Sequence, residues 1–120
     1  MSLDAGDNPR VAYEEALAER VRALLADEGG VTEKRMFGGL AFLIGGNMSV
    51  SVSGQGGLLL RCDPVQTAEL VQDSHASTAV MRGRPMEGWL RVAADGVQSD
   101  EALAAWVARA VSYARSLPPK

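Results

Sequence analysis

The apolar residues of this chain change their period at Gly29 and Gly30. Before that pair, Tyr13, Leu17, Val21, Leu24 and Leu25 recur at the spacing of one helical face, which predicts an amphipathic helix over residues 9–28. Asp7 or Asn8 is placed to cap it, Pro9 suits its first turn and the glycine pair supplies the stop. After the pair, residues 31–63 alternate or run unbroken, and glycines interrupt them at 38–39, 45–46 and 54–57. A helix cannot carry that pattern, so the segment specifies short strands joined by tight turns. Strict alternation over residues 48–53 puts Met48, Val50 and Val52 on the core side of a half-buried strand and Ser49, Ser51 and Ser53 on the other. Residues 40–44 and 58–60 are apolar without alternation, so their second faces are expected to be covered or to meet a partner.

The second half reads less sharply. Asp63 and Pro64 open a predicted helix to about Asp73, with Val65, Ala68, Leu70 and Val71 as its apolar residues. A second hairpin is expected from residues 78–82 and 88–93, joined through residues 83–87, a connection too long for a two-residue turn. A last helix over residues 100–116 carries the stripe Leu103, Trp106, Val107, Ala110, Val111 and Ala114, with Asp100 and Glu101 in its first turn and Pro118 and Pro119 beyond its end. The order is α-β-β-β-β-α-β-β-α. Without regular βαβ alternation this predicts an α+β fold: a single, mostly antiparallel sheet of five to six strands with helices on one face. One domain over residues 8–117 is expected, with residues 1–7 and 118–120 as flexible termini.

Composition bounds the function. A hydrophobic fraction of 47% against 22% charged residues in 120 residues supports a packed core without disulfides or metal. Cys62 is the only cysteine, which excludes an internal disulfide and a cysteine-rich zinc site and suits a reducing, cytoplasmic compartment. No apolar stretch approaches a membrane span or a signal peptide. A net charge of −3 gives no overall attraction to nucleic acid, and Phe37, Phe42 and Trp89 make a thin stacking platform, so direct nucleic-acid contact is not expected.

No catalytic, metal or cofactor constellation emerges. The glycine pairs lack the helix and the Gly-Lys-Ser/Thr ending of a phosphate loop, and turn geometry explains them better. Cys62 falls on the strand face of Leu58 and Leu60, which favours an inert buried thiol over a nucleophile paired with His75, itself in a polar stretch. Charge is the more informative signal. The expected strands hold Lys34, Arg35, Arg61, Arg82, Arg84 and Arg91 against Glu33 and Glu87, net positive in a chain that is net negative. These six cations read either as solvated charges that guard sheet edges or as a surface for an acidic partner.

The run Lys34, Arg35, Met36, Phe37, Gly38, Gly39, Leu40, Ala41, Phe42, followed by a glycine turn and Met48, resembles the signature of the TfoX N-terminal domain family of competence regulators. The leucine strand ending in Arg61 and Asp63, the segment with Met86 and Trp89, and the final helix with Leu103 and Trp106 agree with that resemblance in order. Arg35, Met36, Phe37, Gly38 and Gly39 are its signature residues. The resemblance implies a sheet with flanking helices similar to secretion-chaperone-like proteins, and a bacterial transcription regulator acting through protein contacts. Full-length competence regulators also carry a helical C-terminal domain. The expectation is a non-enzymatic protein-interaction module, forming a homodimer and meeting an acidic protein partner. Two alternatives stand beside it: a small-ligand binder with a pocket between the sheet and the helices, lined by Met36, Phe37, Met48 or Trp89, and a small thiol enzyme using Cys62.

Overall fold

The computed structural model describes residues 9–36 and 38–120, with side chains on the first helix from Glu15 onward. The expected caps Asp7 and Asn8, the N-terminal segment, the Tyr13 side chain and Phe37 lie outside the described residues. Helix α1 (Pro9–Leu24) leads into strands β1 (Val31–Met36), β2 (Gly39–Ile44), β3 (Asn47–Val52) and β4 (Leu58–Arg61). A 3-10 turn (Pro64–Gln66) and the one-turn helix α2 (Thr67–Leu70) precede β5 (Ala76–Met81) and β6 (Arg84–Val92). A second 3-10 turn (Ala94–Val97) then leads to α3 (Asp100–Ser116).

The strands form one antiparallel sheet in the order β1-β2-β3-β4-β6-β5, so the α+β class and the element order follow the sequence expectation. Leu17, Val21, Phe42, Val50, Val52, Leu58, Leu60, Leu90, Leu103, Trp106 and Val107 bury together, which places α1 and α3 on the same face of the sheet. Ser99 caps α3 by accepting from the Ala102 amide at 3.0 Å, and the expected stripe of α3 is buried throughout.

Five expectations are corrected. Met48 does not share a face with Val50. Phe42 pairs with Val50 and Leu43 with Met48, so Ser49 is an extra residue, and this β-bulge turns Met48 to the opposite side. The Ser49 hydroxyl donates to the Phe42 carbonyl at 2.8 Å and so satisfies a buried acceptor beside the bulge. Nor is β3 half buried, since all six of its residues are closed to solvent.

The β5–β6 connection is also shorter than expected. Arg82 (φ 54°) and Gly83 (φ 77°) form a two-residue turn, because β6 begins at Arg84 and continues through Pro85. Proline is tolerated there because β4 reaches only from Trp89 onward, which leaves that part of β6 bonded on one side. The helix expected over residues 63–73 is a 3-10 turn followed by a single α-turn, in which Val65 is 86% exposed instead of core. Asp63 does cap it, accepting from the Val65 amide at 3.0 Å. Finally, α1 ends at Leu24, and Leu24 lies off the buried stripe of Leu17, Ala18, Val21 and Leu25.

Candidate interaction surface

The face of the sheet opposite the helices carries a second apolar cluster. Ala41, Met48, Leu59 and Ala79 are buried there, with Met36, Leu43, Met81 and Trp89 packed against them. Leu59 is only 2% exposed within a single chain. The unbroken apolar runs of β2 and β4 are thus satisfied internally on both faces and need no partner for burial. Met36, Met48 and Trp89, expected to line a ligand cavity, are instead members of this packed cluster.

The strand cations divide by the pleat. Register puts Lys34 beside Ala41 and Arg35 beside Leu40, so these neighbours point to opposite faces at the β1 edge. Arg91 pairs with Leu59 and its guanidinium donates to the Ser53 hydroxyl at 3.2 Å. Arg61 is half-buried, its guanidinium carbon 5.3 Å from the Trp89 ring centre and 5.7 Å from that of Tyr113, both within cation–π range. Arg82 and Arg84 project from the β5–β6 turn. The six therefore do not form one patch: Arg61 and Arg91 have packing partners within the sheet, and Lys34, Arg35, Arg82 and Arg84 are exposed.

Ion pairing separates these cations from those of the helices. Arg20 is bound by Asp100, Arg115 by Glu28, and Arg22 by both Glu19 and Glu33. Among the described residues, no carboxylate stands within ion-pair distance of any of the six strand cations. Glu33, one of the two acids on the strands, is taken by Arg22 at 2.6 Å, which leaves Lys34 and Arg35 without it.

Sequence reasoning missed the apolar residues beside Arg82 and Arg84. Val80 is 59% and Met86 37% exposed, and with Val65 they are three of the four large hydrophobic residues left in solvent among the described residues. A groove of about 640 Å³ runs between α2 and the hairpin, lined by Thr67, Val71, Thr78, Pro85 and Met86 among others. Its walls are tied together at Gly88, whose amide donates to the Thr67 hydroxyl and whose carbonyl accepts from the Cys62 amide. The available signal was a strand, residues 76–81, with no charge in it; the position of that strand in the sheet was not readable.

Cys62 is fully buried, and burial pushes its thiol above the usual cysteine range, opposed in part by hydrogen bonding to Thr67. His75 is exposed, with Nδ1 3.2 Å from an oxygen of Asp73 and Nε2 3.9 Å from one of Asp95. Among the described residues no three of His, Cys, Asp and Glu gather as metal ligands would.

The signature residues Met36, Gly38 and Gly39 close the β1–β2 turn. Gly38 has φ 72°, and a Cβ at Gly39 would collide with the Val52 carbonyl oxygen of β3. The family model of the TfoX N-terminal domain matches residues 23–114. The chain belongs to the TfoX N-terminal domain family. No curated protein sequence matches it. The TfoX N-terminal match takes in all six strands, α2 and most of α3, and starts within α1. No helix among the described residues is long and apolar enough to cross a membrane.

Proposed function

We propose that this chain is a non-enzymatic regulatory module of the bacterial cytoplasm that binds an acidic protein partner. The observation that carries the reading is the joining of two features at one place. Among the described residues no acid stands within ion-pair distance of Arg82 or Arg84, and these arginines adjoin in sequence the exposed Val80 and the residues Pro85, Met86 and Glu87 that line the groove beside α2. Exposed apolar residues next to unpaired arginines on one hairpin suit a peptide that supplies both a hydrophobic anchor and carboxylates. Family membership supports a regulatory role in so far as the resemblance to TfoX-type competence regulators implies one. The buried, protonated thiol of Cys62 supports a non-enzymatic one, because the thiolate is the nucleophile.

Affinity capture from native lysate with wild type and with the double variant Arg84→Glu, Met86→Asp tests this. Both side chains are exposed, so circular dichroism is expected to show the same fold for the variant. A specific acidic protein held by wild type and lost by the variant is the expected result. Identical capture profiles would exclude the groove as the docking site.

A further inference from the structure

The two edges of the sheet are built differently. β1, at one edge, carries Glu33, Lys34 and Arg35 in succession, all exposed, and such charge is the usual guard against strand pairing. β5, at the other, reads Ala76, Ser77, Thr78, Ala79, Val80, Met81, with no charge and no proline. Val80 stands 59% exposed on it. One edge is guarded and the other is open.

The backbone of β5 is set for pairing. Residues flanking a two-residue hairpin turn form a bonded pair, so Met81 directs its amide and carbonyl inward to Arg84. Counting back by alternation, Ala79 and Ser77 also face β6, and His75 agrees by accepting from the Ala93 amide at 2.8 Å. Val80 and Thr78 therefore turn their N–H and C=O groups away from the sheet. Pro85, opposite Val80, is consistent with this, because a non-bonded position asks no amide of it. β5 stays regular because the extra residues of the irregularity at Thr78 and Ala79 are on β6, between Met86 and Leu90.

We infer that β5 docks the β5 of a second copy of this chain, antiparallel about a two-fold axis at Ala79, so that Thr78 of each copy pairs with Val80 of the other. This rests on the reading of the chain as a protein-interaction module and names one of its partners. Charge selects the second copy over an arbitrary strand. The two ends of β5 carry opposite signs: Asp73 and Asp95 are exposed at its start, and Arg82 is exposed at its finish with no acid in ion-pair distance among the described residues. The two-fold brings Arg82 of each copy opposite Ala76 of the other, beside Asp73. A surface positive at one end and negative at the other complements itself only when antiparallel, as an isologous contact requires. At the axis Ala79, buried within its own sheet, puts no bulky side chain in the way, and each exposed Val80 covers a Thr78.

Sedimentation equilibrium on the full chain over a hundredfold concentration range tests the inference. Wild type is expected to approach twice the monomer mass at the upper end. Val80→Lys, which places a charge at the edge and leaves an exposed site exposed, is expected to raise the dissociation constant at least tenfold with an unchanged circular dichroism spectrum. Arg82→Glu is expected to weaken the dimer, and adding Asp73→Arg to recover it. A monomer at every concentration would overturn the inference, and so would a dimer indifferent to Val80→Lys. Lysate capture lost in the Arg84→Glu, Met86→Asp variant is a separate readout. If wild type is monomeric and that difference persists, the edge pairing fails and the partner-binding reading stands. If Val80→Lys splits the dimer and capture never depended on Arg84 or Met86, the reverse holds.

Discussion

Glu33 and Lys34 are neighbours on β1, and the pleat sends them to opposite sides of the sheet. Glu33 faces α1, where two oxygens receive Arg22 in a fork, at 2.6 Å and 2.8 Å. That hydrogen bonding holds the Glu33 carboxyl below its ordinary value of 4.5, with desolvation opposing it. A carboxyl whose folded pKa is depressed contributes stability above its unfolded value and loses it as pH falls through the folded one. Unfolding midpoints in urea are therefore expected to drop as pH falls below about 4.5, and to drop less steeply in Glu33→Gln. The pair is exposed enough for water and salt to weaken it, so the difference at neutral pH should be small. The charges of both residues were visible in the sequence. Their separation into a paired acid and an unpaired base required the helix that crosses above.

At the scale of elements, glycine and serine decide where strands bend. The Gly38 and Gly39 pair was legible as a turn, but not the distinct reason for each residue. Gly38 supplies a positive φ, whereas Gly39 lets the start of β2 approach the end of β3. Gly39→Ala is expected to cost about 1–3 kcal/mol in urea melts, because the obstruction is backbone and cannot swing aside. Gly29→Ala serves as the control: open space surrounds that position and its φ is not positive, so a change within about 0.5 kcal/mol is expected. The long helix α3 was readable to the residue since its 17 positions of 3.6 period leave little ambiguity. The segment after Asp63 was not, because one turn of 3-10 and one of α-helix are too short to show a period. Ser49 defeated the alternation rule, since a single inserted residue reverses every face before it.

For the molecule as a whole, the C-terminal residues bond back to the β2–β3 turn. Asn47, buried at the start of β3, donates through Nδ2 to the Pro118 carbonyl at 2.9 Å, and the Lys120 amide donates to the Gly45 carbonyl at 2.8 Å. Residues 118–120, expected to be free, instead tie the exit of α3 to the β2–β3 turn. Asn47→Ala removes the donor from a part-buried acceptor and is expected to lower stability by about 1–3 kcal/mol. Amide hydrogen exchange provides the discriminating measurement: faster exchange at Lys120 with β1 and β6 unchanged marks a released tail. Lost protection across the whole sheet would instead mark general unfolding. Partner binding belongs to this scale too, because the groove, the unpaired arginines and the open edge come from segments that meet only in the folded chain.

Periodicity, glycine placement and helix caps were sufficient to specify the class, the order of elements and the α3 stripe. Each depends on residues a few positions apart, where backbone geometry leaves few alternatives. Strand order was decided by the tertiary structure alone: β6 inserts beside β4 and leaves β5 outermost. That single arrangement makes an uncharged strand an edge and a charged one its guarded counterpart, and it determines which arginines find an acid. Such outcomes depend on contacts between residues far apart in sequence, and local pattern carries no record of them.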